Sequence, residues 1–225
     1  MGQAVGNILP LAIAVAISPV PIIAVVLMLA TPRARSNGPA FGAGWLVGLS
    51  IVGAIVLLAA SGNATSDSGA PASWVSVLKL LFGGLFLFLA VHSWQGRPKA
   101  GEEAVMPKWM QAIDGFTAVK SLGMGVLLSG VNPKNLALTA AAAAVIAQSE
   151  ISGGQEAVAL IVFVLIGSLT ILAPLAIYFL MGAKAKSILE EIKDFMAAHN
   201  AAIMTVLLLV LGVKLIGDAI AGFSS

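Results

Sequence analysis

Gly130-Val131-Asn132-Pro133-Lys134-Asn135 lies inside an otherwise apolar run from about Leu122 to Ala147. The run is long enough to cross a bilayer, which takes about 20 residues at a rise of 1.5 Å each. Pro133 removes a backbone donor and displaces a carbonyl. In lipid the freed groups must be satisfied by protein or by water. Ser18-Pro19-Val20-Pro21 interrupts a second such run, Ala4 to Ala30, at the corresponding point of the other half of the chain. Broken helices at matching positions of two halves are the strongest sequence pointer to a transporter's substrate site. The bland reading is a pair of ordinary proline kinks. Two proline-bearing polar motifs at equivalent places weigh against it.

Working outward, four more stretches qualify as spans: Ala40–Ser61, Trp74–Trp94, Ala157–Met181 and Ala201–Phe223. Trp74 and Trp94 bracket the third span at a spacing that matches the hydrocarbon thickness, and tryptophan favours both interfaces. The N-terminal run has no basic residue before Arg33 and is longer than a signal core, so it reads as a retained first helix. The composition agrees: 59% of the 225 residues are apolar and 10% charged, against roughly half and a quarter in soluble domains. An ordinary soluble enzyme and a disordered chain are excluded. The net charge of +2 is too small to argue for nucleic acid. With no cysteine, disulfides, thiol redox chemistry and cysteine metal sites are excluded as well.

Basic residues set the orientation. Arg33, Arg35, Arg97, Lys99, Lys108, Lys120, Lys184, Lys186 and Lys193 all follow odd-numbered spans. The other two loops, Gly62–Ser73 and Gln148–Glu156, carry only Asp67, Glu150 and Glu156. The positive-inside rule makes the odd loops cytoplasmic and puts both termini on the outer side. Two cytoplasmic segments are amphipathic. Val105, Met106, Trp109, Met110, Ile113 and Phe116 recur at helical spacing, and so do Ile188, Leu189, Ile192, Phe195 and Met196 within 185–197. Each reads as a short helix lying in the interface.

The halves correspond in more than their breaks. Gly48-Leu49-Ser50 in span two and Gly167-Ser168-Leu169 in span five sit at comparable depth. Three spans per half oblige the second half to enter from the opposite side. The expected fold is therefore an all-α integral membrane protein. Six transmembrane helices form two inverted-topology repeats, residues 1–95 and 122–225, joined by a cytoplasmic loop at 96–121, with helices one and four broken.

Four charges remain inside spans: Lys79, Lys134, Lys214 and Asp218. A charge deep in the bilayer costs roughly 2.5–3.5 kcal/mol on insertion scales and needs a partner or a watery cavity. Lys134 belongs to the second break and lies too deep to snorkel, with Asn132 and Asn135 beside it. Lys79 and Lys214 lie toward the outer face, where snorkelling is the bland explanation. Lys214 and Asp218 are four apart and can pair on one helix face, as a structural pair or a gate. His92 and His199 read as interfacial. No carboxylate, histidine or thiolate occupies the midplane, so a transported metal cation has no ligands there. An anionic headgroup, phosphate or carboxylate suits a cavity whose deep charge is Lys134, with helix N-termini at the breaks adding to its field.

Six spans, the Pro-x-Pro break and Asn132-Pro133-Lys134 together resemble the LysE superfamily of exporters. Ile17-Ser18-Pro19-Val20-Pro21-Ile22, the basic turn Thr31-Pro32-Arg33-Ala34-Arg35 and Gly42-Ala43-Gly44-Trp45 are most similar to its GAP branch, the Sap-like, peptidoglycolipid-addressing family of actinobacteria. The resemblance implies an inner-membrane exporter or flippase-like protein for lipid-linked or amphipathic substrates. It places Ser18, Pro19, Pro21, Asn132, Pro133, Lys134 and Asn135 on the central cavity. The sulfur-redox relatives need paired cysteines, absent here.

The resulting expectation is a transporter that moves an anionic lipid, glycolipid or lipid-linked intermediate outward by alternating access. It would work without cofactor or metal, and its partners would be membrane lipids rather than nucleic acid. Three rivals are an exporter of small solutes such as amino acids, an intramembrane enzyme, and a non-transporting assembly factor. Ser129 invites the enzyme reading, but no histidine or deep carboxylate is placed to activate it. Gly44 and Gly48 form a small-xxx-small face that could seal a homodimer or pack helices within the chain.

Overall fold

The computed structural model describes residues 1–61, 73–97 and 108–224. Within them every element is a helix: α1 (Gly2–Ala16), α2 (Pro19–Leu29), α3 (Ala34–Ser61), α4 (Ser73–Gln95), α5 (Ala118–Val126), α6 (Pro133–Ala147), α7 (Gly153–Leu180) and α8 (Ala185–Ser224). Their large apolar side chains face outward as well as inward. Ile51, Ile55 and Leu58 on α3, Ile161, Leu165 and Leu169 on α7, and Val206, Val210 and Val213 on α8 are all exposed. A soluble fold does not carry such belts, and lipid is the solvent they match. The chain is a membrane protein.

By length and composition α3, α4, α7 and α8 can each cross a membrane, and α1 with α2 makes a fifth candidate bent by 53°. By this criterion the described residues hold up to five of the six expected spans. The fourth apolar run is divided into Ala118–Val131 and Pro133–Ala147, each too short to cross alone. The cause is local: a π-helical turn at Leu127–Val131 is followed by Asn132 at ψ 122, which leaves the helix before Pro133 restarts it. Pro133 sits at the first position of α6, where its missing N–H is not needed.

Other expectations shift too. The segment at 185–197 is not a separate interfacial helix. It continues into span six as the 40-residue α8, because neither glycine nor proline interrupts the chain between Ala185 and Gly212. Lys108–Gly115 forms a 3-10 helix rather than an amphipathic α-helix, and its Met110 and Ile113 are buried against the core beside α2. Span two begins earlier than expected, at Ala34. Trp94 is half exposed and stacks under the Arg97 guanidinium, 3.9 Å from its ring centre, as an interfacial anchor would. Val105, Met106, Pro107, Lys99 and the Asp67 loop lie outside the described residues, as does the Trp74 side chain.

The packing interleaves the two halves. α1 lies on α7, while α5 lies on α3, so each broken helix rests on the second span of the other half. The glycines make that contact close. A Cβ on Gly44 would collide with the Leu122 backbone, one on Gly48 with Ser129, and one on Gly125 with the Phe41 carbonyl. The small-residue face of α3 is thus spent on α5 within the chain. The third spans, α4 and α8, pack on each other through Gly83 and Gly212. This pair grips α2 through α8, yet α1 has no extended packing with either helix.

Candidate functional site

At the first break the helical ladder loses its donors for a reason written in the sequence. Val15 O and Ile17 O would ordinarily accept from the N–H groups of residues 19 and 21, and both are prolines. Ser18 N turns back to Ala16 O at 2.9 Å, which also strips Ala14 O of its donor. The carbonyls of Ala14, Val15 and Ile17 at the end of α1 therefore need partners from elsewhere.

They find them in side chains. Ser18 Oγ donates to Val15 O at 2.6 Å. Thr170 Oγ1 on α7 donates to Ala16 O. Lys134 Nζ donates to Ala14 O and Ile17 O at 2.9 Å each and to Ser18 Oγ at 2.7 Å. All three protons of the ammonium are used, and Lys134 is only 4% exposed. Its backbone stands at the N-terminus of α6, the wrong end of a helix dipole for a cation. Its charge, however, reaches the C-terminus of α1, the favourable end.

The second break is satisfied mostly from within. Asn132 N donates to Leu127 O across the π turn at 3.0 Å, and Asn132 Oδ1 accepts from Lys134 N at 3.0 Å. Asn135 Nδ2 donates to Leu128 O at 2.9 Å, and Ser129 Oγ donates to Val126 O at 3.2 Å. Asn135 Oδ1 lies 3.3 Å from Ser18 Oγ, which ties the two breaks together at the centre of the molecule.

Both breaks border one cavity of about 320 Å³. Ser18, Pro19, Pro21, Asn132, Pro133 and Lys134 line it, with Leu89, His92 and Ser93 of α4 and Asn200, Met204 and Leu208 of α8. Asn135 is buried just behind, hydrogen-bonded to the lining as described. The sequence-predicted central residues are thus brought together. The N-termini of α2 and α6 converge here. Their three prolines supply no N–H, so an anion would feel the helix dipoles rather than a cradle of donors. Among the described residues no group of acidic and histidine side chains could hold a metal ion.

Residues 8–221 match the family described as Sap, sulfolipid-1-addressing protein. The chain belongs to that family. Neither a curated protein nor a solved structure matches it. The matched residues include both breaks.

The remaining intramembrane charges do not join that site. Lys79, Lys214 and Asp218 line a separate cavity of about 820 Å³ at the end of the bundle that carries both termini. Lys214 Nζ meets Asp218 Oδ2 at 2.6 Å, as their spacing predicts. Sequence reasoning missed Thr170, although a lone threonine two residues beyond Ser168 in an apolar span was the available signal. It also missed Asn200, Met204 and Leu208, which reach the site only because α4 and α8 fold back over the breaks.

Proposed function

We propose that this member of the sulfolipid-1-addressing family is a carrier that moves an anionic amphiphile across the plasma membrane by alternating access. Its six spans would form two inverted repeats, as in the LysE superfamily, with the basic loops cytoplasmic and both termini outside. The observation that carries this reading is the meeting of two broken helices, two helix N-termini and a buried ammonium at the 320 Å³ cavity. The exchanged packing of α1 on α7 and α5 on α3 supports the repeat.

Lys134 is the switch in this scheme. With no substrate its ammonium holds the end of α1 through three hydrogen bonds. A sulfate or phosphate headgroup entering the cavity competes for those protons and forms stronger charge-assisted bonds. Winning even one of them loosens α1 from α6. Headgroup binding is thereby coupled to movement of the broken helix, which is the differential interaction a conformational change requires.

Flux of a fluorescent anionic lipid in vesicles reconstituted with the purified protein tests the reading. Wild-type protein should transfer it between leaflets, and K134Q should not. A wild-type protein without flux would place the chain among assembly factors, and flux undiminished in K134Q would remove Lys134 from the mechanism. Stabilisation by amino acids but not by anionic lipids would point to a small-solute exporter.

A further inference from the structure

The central ammonium has no proton to spare in this conformation, but a second lysine does. Lys79 on α4 is half-buried and makes no side-chain hydrogen bond among the described residues, though Asp218 and Lys214 both act on it through space, so the three together keep one surplus positive charge. Its neighbour Lys214 is already neutralised by Asp218. Lys79 faces the 820 Å³ cavity, a volume within the range of roughly 300–1,000 Å³ common for ligand sites. Gln148, which also lines it, has a buried Nε2 without a partner among the described residues. A turn of its amide presents that donor to the cavity. Leu11 and Leu215 add apolar lining. Glu150, the remaining acid of the lining, is exposed.

We infer that this cavity is a second headgroup station, in which Lys79 binds the oxyanion of an amphiphile that has passed the central break. The inference rests on the carrier reading above. It adds a site that the central one does not contain. A surplus positive charge and an unpaired amide donor are complementary to a sulfate or phosphate ester, and the apolar lining residues suit the first carbons of a chain. The cavity reaches down to Ala141, two helical turns from Lys134 and about 10 Å along the α6 axis. α1 does not pack extensively on α4 or α8 at this end, which leaves the cavity its width. A headgroup leaving Lys134 therefore meets Lys79 next, while Lys134 returns to the carbonyls of α1.

The test uses the full chain in phosphatidylcholine nanodiscs titrated with phosphatidylglycerol, with retained lipid read by native mass spectrometry. Wild-type protein should retain phosphatidylglycerol over phosphatidylcholine. K79Q should lower that retention about tenfold, and K79R should preserve it. Sodium sulfate is added in a parallel arm. Displacement of the lipid by sulfate supports recognition of the oxyanion itself, and retention despite sulfate assigns the lipid-borne group as the ligand. Equal retention by wild type and K79Q, or no preference in wild type, overturns the site. If K79Q does not fold, acylation of wild-type Lys79 by a sulfonated succinimidyl ester decides, because bound phosphatidylglycerol must protect it. Flux that survives in K79Q sinks this station but leaves the carrier standing. Lysine-dependent retention without any flux does the reverse.

Discussion

The two breaks solve one problem in opposite ways. In lipid an interrupted helix must find partners for its orphaned carbonyls. The break between α5 and α6 does so locally, with a π turn, an asparagine cap and Asn135 folding back on Leu128 O. The break between α1 and α2 imports its donors across the molecule, from Lys134 on α6 and Thr170 on α7. Two prolines two residues apart explain the difference, since they delete the N–H groups that a local solution would use. One break is thus a stable joint, and the other is a joint held shut by a removable charge. In the proposed carrier, asymmetry of that kind would let a ligand act at one point.

Removing the imported charge should have the largest effect. K134M leaves Ala14 O, Ile17 O and Ser18 Oγ without a donor at a buried site. We expect a loss of about 3 kcal/mol, since each buried group left unsatisfied costs about 1–3 kcal/mol. N135L removes a single donor, that of Leu128 O, and should cost about 1 kcal/mol. Thermal unfolding in detergent, followed by tryptophan fluorescence, measures both. Equal losses would erase the distinction between the breaks.

The buttresses behind the breaks give a smaller contrast. Gly48 on α3 meets the α5 backbone: its Cβ would lie 3.0 Å from Val126 O and would collide with Ser129 Oγ. Gly167 on α7 meets only side chains, Val15 at 3.2 Å and Leu49 at 3.6 Å. A side chain can shift by a few tenths of an ångström where a packed backbone cannot. G48A should therefore destabilise by about 2 kcal/mol through overpacking, and G167A by clearly less. The same unfolding assay ranks them. A larger loss for G167A would mean that the α1 side is the tighter joint.

Much of this was legible beforehand. Proline at residues 19, 21 and 133 marked both interruptions, and a lysine far from either end of its apolar run had to be buried with partners. The spacing of Lys214 and Asp218 announced their pair. What the sequence does not carry is which acceptors Lys134 would choose. Its neighbours in sequence, Asn132 and Asn135, suggested a shared ligand site, whereas the ammonium reaches more than a hundred residues away to α1. That contact follows from the crossing of α1 and α6, which no local pattern encodes. The continuity of α8 was readable from the absence of breakers but was obscured by its change from amphipathic to mainly apolar at Ala201. The division of the fourth run was readable at Pro133, whereas the π turn before it depends on how Ser129 and Gly130 meet α3.

The finest test restores a donor rather than removing one. P21A returns an N–H at residue 21, directed at Ile17 O along the helix or at Ser18 Oγ as the cap of α2. Both are groups that Lys134 serves in the native protein. In an otherwise native chain the new donor is redundant, so P21A alone should change stability little. In K134M it takes over one of the abandoned acceptors and should recover about 1 kcal/mol of the loss. The interaction term of the double-mutant cycle isolates that recovery from the general effect of replacing a proline. A cycle additive to within about 0.5 kcal/mol would show that the missing N–H at Pro21 and the imported lysine are independent features. A positive coupling ties the presence of a deep lysine in α6 to the proline that deleted a donor in α2.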